Sequence, residues 1–499
     1  MRGFVLFSVV LKRFGYFLVF IVALTLRTLP ELLSGYYPVG FDTLAGYVPA
    51  IIALPDHSPM NLFGWTWSPL AVYLLWFVQF VTRIDPYILL KVAGPVFYGI
   101  FTVSFYCMLL HGLEWDDKKS FMVTLLFLLQ PAVLRTGWDQ LREELGLTFF
   151  FLLLAKTKCD IAYGAKTKPL TVLLLSILIV FSHQLAAILF FVVFLWQLFH
   201  TMVKEDGAFL RGVVVVLPSA AIFVWQLYNQ FVIPSVSPHF SPIHLPTGTN
   251  IFVFSNYFLS DPRFLDGDYF KILSYVGSLS LYCVVPLVPF ALKGLSKDRV
   301  FTPMLIWLSI ASYSIVFSPK YAFSYYWWWT LLLPIPLTVY MGQGLEKLGV
   351  FRNPARLKMA AFALLIFGGV AFGYAGSAVR IGYPNAYSYI PSGLVESCVG
   401  FDDIPDVKGS LEWVNEHAST GAIVVVPENF QGLAFMDLRS DLEIRVAPSL
   451  LDLGKAVRTL EASQDFVYAV YYLSEVGNYD SEMLAIFRKV GVYGIGTDI

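Results

Sequence analysis

The sequence predicts an α-helical polytopic membrane protein carrying a small C-terminal α/β domain. Three observations carry that prediction. Apolar residues make up 57% of the 499 and charged ones only 14%, with a mean hydropathy of +0.67, a composition foreign to soluble domains and ordinary for helical membrane proteins. Long hydrophobic segments recur through the first three quarters of the chain. Charge is also divided: residues 1–378 hold 26 Lys+Arg against 18 Asp+Glu, a balance of +8, whereas residues 379–499 hold 8 against 17, a balance of −9. A basic membrane domain (1–378) followed by an acidic domain (379–499) is expected, and no nucleic-acid partner.

Taken in order, Arg2, Lys12 and Arg13 precede an apolar run from Phe14 to about Leu33 with no small-residue cleavage site, the pattern of a retained signal anchor. Further hydrophobic segments lie near 67–82, 86–111, 119–135, 145–157, 169–184, 186–203, 210–229, 270–292, 300–317, 327–345 and 356–378. The positive-inside rule chooses among topologies. With 67–82 not crossing, 18 basic residues fall in cytoplasmic segments and seven outside; if it crosses, every later loop changes side and the bias vanishes. Residues 67–82 are therefore read as a re-entrant or surface-lying helix, short of the ~20 residues a span needs and rich in interfacial aromatics. Eleven spanning helices follow, with the N-terminus cytoplasmic, the C-terminal domain exterior, and large outer loops at 34–85 and 230–269. Cys107, Cys159, Cys283 and Cys398 lie far apart and form neither a disulfide framework nor a metal spacing.

In the last domain, residues 411–414 read as a helix, and 422–426, 443–447 and 466–472 as strands. Helical periodicity returns over 450–463 and 481–489, before a last strand at 491–496. No G-x-G-x-x-G follows a strand and no phosphate-loop lysine is present. Asp402, Asp403 and Asp406 lack calcium-loop spacing and read as a solvated acidic face.

That topology gathers the unusual polar residues on the outer side. Asp42 stands in Gly40-Phe41-Asp42-Thr43, where a membrane helix should surface, either as a functional carboxylate or as the cap of a helix beginning at Thr43. Lys91 lies at the outer end of the next span, Arg142-Glu143-Glu144 in the second outer turn, His183 in the third and Lys320-Tyr321 in the fifth. Cations at headgroup level suit a phosphate, and a carboxylate near them suits a general base. Each residue also has a plain structural use: Arg142 pairing with Glu143 or Glu144, Lys91 snorkelling, His183 bonding a helix end.

With those residues in place, the chain resembles the polytopic GT-C glycosyltransferases that use lipid-phosphate-linked sugars, of the protein-mannosyltransferase and aminoarabinose-transferase kind. The likeness covers roughly residues 14–200. Asp42 matches the acid of the first outer loop, where the family commonly has an Asp-Glu pair. Trp67-Ser68-Pro69-Leu70 matches a His-Pro-Pro-Leu-like helix entry without its His. Lys91 matches the basic residue of an Arg-Leu-Pro-Ser-like segment, and Arg142-Glu143-Glu144 an Arg-Pro-Asp-like turn. The Trp-Trp-Asp motif of oligosaccharyltransferase is not met, since Tyr326-Trp327-Trp328-Trp329 runs into Thr330. The resemblance implies transfer of a sugar from a polyprenyl-phosphate donor to a glycan, lipid or protein acceptor. In that expectation Asp42 is the base and Glu144 assists it or holds a metal. Arg142 and Lys91 hold the lipid phosphate, and Trp65, Trp67, His183, Lys320 and Tyr321 contact substrate. No cofactor is fixed by the sequence; a divalent metal is left open. The rival readings are a transporter, favoured by Arg27 inside the first span, and a non-catalytic scaffold that presents the exterior domain.

Overall fold

The structure, a computed structural model, describes residues 2–40, 42–54, 69–202, 206–232, 269–318, 322–323, 326–359, 363, 366, 394, 404–427, 430–447 and 467–470. Nearly all of the 230–269 loop, most of 356–378, Cys398, and the elements expected at 450–463, 481–489 and 491–496 lie outside the described residues.

Helix α1 is Arg2–Leu33. A π-helical turn, Thr43–Tyr47, leads into the short α2, Val48–Ala53, and α3 is Leu70–Thr82. Helix α4, Pro86–Cys107, is followed by a second π-helical turn, Met108–Gly112. Then come α5 (Asp117–Leu128), α6 (Pro131–Asp139), α7 (Leu141–Lys156), α8 (Ile161–Thr167), α9 (Pro169–Ser182), α10 (Gln184–Met202) and α11 (Asp206–Val232). After them lie α12 (Tyr269–Cys283), α13 (Val288–Gly294), α14 (Phe301–Phe317), α15 (Tyr326–Leu332) and α16 (Pro334–Lys347). The remainder is α17 (Ile404–His417), β1 (Ile423–Pro427), α18 (Gln431–Asp437), β2 (Glu443–Ala447) and β3 (Val467–Ala469).

Among the described residues, Arg13–Leu33, Pro86–Gly112 and Phe209–Tyr228 are each long and apolar enough to cross a bilayer. Two bent pairs, α5 with α6 at 67° and α12 with α13 at 65°, make five if each pair is one span. Four further apolar helices are shorter. A helical membrane protein is the consequence; the figure of eleven spans belongs to the proposed topology. Helix α3 starts at Leu70, after Pro69, and its 13 residues rise about 20 Å, short of a hydrocarbon core of ~30 Å. Val72 and Leu75 are buried while Phe77 and Val81 are exposed, so the helix shows one face to its neighbours and an apolar face outward. The α5–α6 bend follows from Pro131, which cannot continue a helix from the extended Gln130. Gln130 Nε2 reaches back to the Leu126 carbonyl at 3.0 Å, satisfying a backbone group that the break exposes within the bundle.

Two ends of the bundle are distinct. At one, Tyr16 meets His111 at 2.6 Å, Lys158 pairs with Glu114 at 2.6 Å, and Arg299 with Asp160 at 3.6 Å. Lys119 pairs with Glu346 at 2.5 Å, and Lys118 donates to the Phe351 carbonyl at 2.8 Å. The loops that the charge count groups together are thus neighbours in space. At the other end lies the α/β piece, a parallel three-stranded sheet of order β2-β1-β3, in which Ile423 pairs with Glu443 and with Val467. Strand β1 is wholly buried. One apolar cluster joins Leu44, Tyr47, Val48 and Ile51 of the first loop to Leu411, Phe430, Leu433 and Ala434 of the α/β piece. A Cβ on Gly432 would stand 1.6 Å from the Leu44 carbonyl oxygen, so α18 lies on the loop backbone itself, and only glycine fits.

Candidate functional site

The loop after α1 is held from below. Arg27 and Glu31, one helical turn apart and almost wholly buried, pair at 2.6 Å. Arg27 Nε donates to the Gly137 carbonyl at 2.6 Å and Nη2 to that of Trp138 at 3.1 Å. Glu31 Oε2 accepts from the Val39 amide at 3.2 Å. Two buried charges persist only when paired and hydrogen-bonded in this way. Lys91 reaches in from α4 to the same carboxylate at 3.8 Å. Its ammonium donates to Ser34 Oγ at 2.8 Å, to the Gly35 and Tyr37 carbonyls at 2.7 and 3.2 Å, and to the Glu31 carbonyl. An ammonium has three protons to give. Lys91, expected to snorkel or to meet a phosphate, is engaged by the chain's own loop.

The loop then crosses to the turn between α6 and α7. Thr43 Oγ1 donates to the Trp138 carbonyl at 3.2 Å, and the Tyr47 hydroxyl accepts from the Arg142 amide at 3.1 Å. The Arg142 guanidinium lies over the Tyr47 ring, 5.6 Å from its centre. Burial pushes the Tyr47 phenol up to about 12; the Arg142 charge opposes that shift and the Asp42 carboxylate adds to it. Arg142 thus lies against Tyr47, and the Asp42 carboxylate is within electrostatic range of the same phenol. Asp42 precedes the Thr43–Tyr47 turn, as a cap would, but its side chain makes no capping hydrogen bond.

Behind Arg142 the wall is buried and polar. Glu143 and Glu144 are 1% and 0% exposed. Glu144 lies beside Gly137, whose Cβ would stand 3.2 Å from its Oε1. With the Gln140 amide oriented to satisfy both neighbours, it donates to Glu143 Oε2 at 2.7 Å and accepts from Trp328 Nε1 at 3.0 Å. Trp328 also flanks His183, ring centres 6.3 Å apart, and the charge of Arg142 reaches that imidazole. Trp329 is a core residue, edge-on to Trp307 at 6.1 Å. Among the described residues no three His, Cys, Asp or Glu side chains converge as metal ligands. Trp65, Trp67, Lys320 and Tyr321 lie outside the described residues.

Sequence reasoning pointed to Asp42, Arg142, Glu144 and His183 as candidates, and passed over Glu31, Thr43 and Tyr47, which the hydrogen bonds above tie to the same region. Glu31 carried a usable signal, an acid inside an apolar run four residues after Arg27. Thr43 and Tyr47 carried none, since their partners lie 95 residues away.

No protein-family model matches the chain, and no curated protein sequence is similar to it. Among solved structures it is similar to the cryo-EM structure of the arabinofuranosyltransferase AftD from Mycobacteria, with 14% identity and a TM-score of 0.45. The match covers 87% of this chain and 32% of that one, so the chain spans about a third of AftD's length. A likeness of that size decides neither the fold nor the activity of this chain.

Proposed function

We propose that the chain is a membrane glycosyltransferase that moves a sugar from a polyprenyl-phosphate donor to a glycan, lipid or protein acceptor on the outer face of the cell membrane. The observation that supports the reading is Arg142 over the Tyr47 ring at 5.6 Å, with the Asp42 carboxylate in electrostatic range of that phenol. The acceptor hydroxyl oxygen bonds to the anomeric carbon as the bond from that carbon to the phosphate oxygen breaks. Asp42 takes the hydroxyl proton. The bond pair leaves with the lipid phosphate, whose growing negative charge Arg142 stabilises. Lys91 acts by fixing the loop that bears Asp42, and the buried Glu144 supports the turn that bears Arg142. His183, Trp65, Trp67, Lys320 and Tyr321 are assigned to substrate contact, and a divalent metal is not required by this chemistry. The α/β piece, on the exterior in the proposed topology, covers the first loop.

The test is transfer by purified protein from polyprenyl-phosphate sugars, with Asp42→Asn and Arg142→Ala beside the unaltered chain. Loss of about 10²–10⁴-fold is expected for the base and about 10²–10³-fold for the cation. Transfer that survives both substitutions overturns the assignment. The transporter reading loses the support of Arg27, whose charge is met by Glu31 and two carbonyls; solute flux in proteoliposomes without donor turnover would restore it.

A further inference from the structure

At the basic end of the bundle, away from Asp42, a cavity of ≈ 490 Å³ opens between α5, α13 and α16. Its wall is apolar, with Leu129, Phe290, Met341 and Leu345 among its residues, and its polar exceptions are Gln130 and Arg356. Arg356 is exposed and stands among the basic loops, whereas Gln130, 4% exposed, lies at the helix break within the bundle. Gln130 Oε1 has no hydrogen-bond partner among the described residues. The stretch from Met341 in α16 to its C-cap Leu348 along this cavity is about 10 Å long at ~1.5 Å per residue, two thirds of one leaflet of a ~30 Å core. The side chains of Leu348 and Met359, both lining it, are exposed.

Charge surrounds it. On the other flank of α16 a polar hollow of ≈ 520 Å³ is lined by Lys119, Lys347, Arg352 and Glu346 among others. Glu346 is matched by Lys119, and no carboxylate among the described residues pairs with Lys347, Arg352 or Arg356. A chamber about two thirds of a leaflet deep, apolar within and cationic at the rim, complements an amphiphile with an anionic head.

We propose that this cavity holds one acyl chain of an anionic phospholipid from the leaflet at the basic end, its phosphate against Arg356 with Arg352 nearby. A free anion has no use for the apolar chamber, and a zwitterionic lipid brings no net charge to the rim. The acyl chain ends below Gln130, whose free oxygen accepts from a water.

The experiment is native mass spectrometry of the delipidated full chain in non-ionic detergent. Phosphatidylglycerol, phosphatidylcholine of the same chains, and inorganic phosphate are titrated separately. One phosphatidylglycerol adduct is expected, preferred about tenfold over phosphatidylcholine and lowered about tenfold by Arg356→Gln, which removes a charge-assisted contact at an exposed site. Leu345→Trp, which fills the chamber, should abolish it, while Arg356→Gln, which also gives up the guanidinium's bond to the Leu348 carbonyl, lowers the melting temperature only slightly. Equal binding of both phospholipids, or an adduct that survives both substitutions, overturns the proposal. So does displacement by inorganic phosphate, which would reduce the site to an anion hollow, or by a polyprenyl phosphate at lower concentration, which would make it a donor-lipid site.

Discussion

Replacing Lys91 with Met separates two jobs that a cation at this position could do. Met keeps the apolar stem and removes the ammonium. The acceptors left behind are Ser34 Oγ and the carbonyls of Glu31, Gly35 and Tyr37, and Glu31 loses one of its two cations. Charge-assisted hydrogen bonds contribute about 1.5–3 kcal/mol each, but the Lys91 side chain is 17% exposed and water replaces some of what is lost. A net loss of about 3 kcal/mol is the sensible figure for its three donors together. Confined to the loop, that raises the open population, and hence amide exchange over residues 34–40, by about a hundredfold. Hydrogen exchange read by mass spectrometry on peptides spanning 30–47 measures it directly. Arg142→Ala serves as the contrast: transfer falls, while exchange over 34–40 stays as it was. If Lys91→Met abolishes transfer and leaves exchange over 34–40 untouched, Lys91 acts on the phosphate and the loop-anchor argument is wrong.

Other predictions follow the same geometry. Tyr47→Phe keeps the ring beneath Arg142 and leaves the Arg142 amide without its acceptor, lowering stability by about 1 kcal/mol in chemical denaturation. Gly432→Ala places a methyl group 1.6 Å from the Leu44 oxygen and forces α18 outward by about 2 Å to ordinary contact; limited proteolysis should cut residues 404–447 faster, and an unchanged pattern would refute the close seat. Asp437 is held above the usual carboxylate range by burial, with Lys408 opposing, and its Oδ2 has no partner among the described residues. A carboxyl with a raised folded pKa contributes stability while protonated and loses it as pH climbs from its ordinary value, 3.8, through the folded value. Asp437→Asn should therefore raise the melting temperature at pH 7 and not at pH 3. Glu31→Gln leaves Arg27 buried without its counter-charge and should destabilise by about 3–5 kcal/mol, seen as a lower melting temperature.

Much of the fold was readable because its causes are local. The apolar run of 86–111, Pro131 at the helix break, and the β-branched run of 423–426 each announce their own structure. The grouping of loops by charge was readable too, since Lys118, Lys158 and Arg299 now stand among neighbours of their own group. The helix Gln431–Asp437 was not, being brief and lodged against the first loop by a glycine contact nearly 390 residues away in sequence. At the candidate site, Asp42 and Arg142 stood out as charges at a membrane surface, but the tyrosine beneath Arg142 did not, because phenols are common in this chain. Lys91 shows the converse: its type and position were right for a phosphate, and only three dimensions show the carbonyls that claim it.

The Arg27–Glu31 pair ties two distant stretches of chain to one helical turn. Arg27 grips the backbone just ahead of Arg142, while Glu31 and Lys91 grip the loop that leads to Asp42. The backbone segments that lead to Asp42 and to Arg142 thus hang from one buried ion pair, and neither segment shifts without straining it. In the proposed reaction, that shared anchor spares part of the entropy of assembling the two groups on binding. The α/β piece is joined to the same loop by other means, the apolar cluster around Leu44 and Leu433 and Lys408 over the Tyr37 ring at 5.6 Å, so it can loosen without breaking the buried pair.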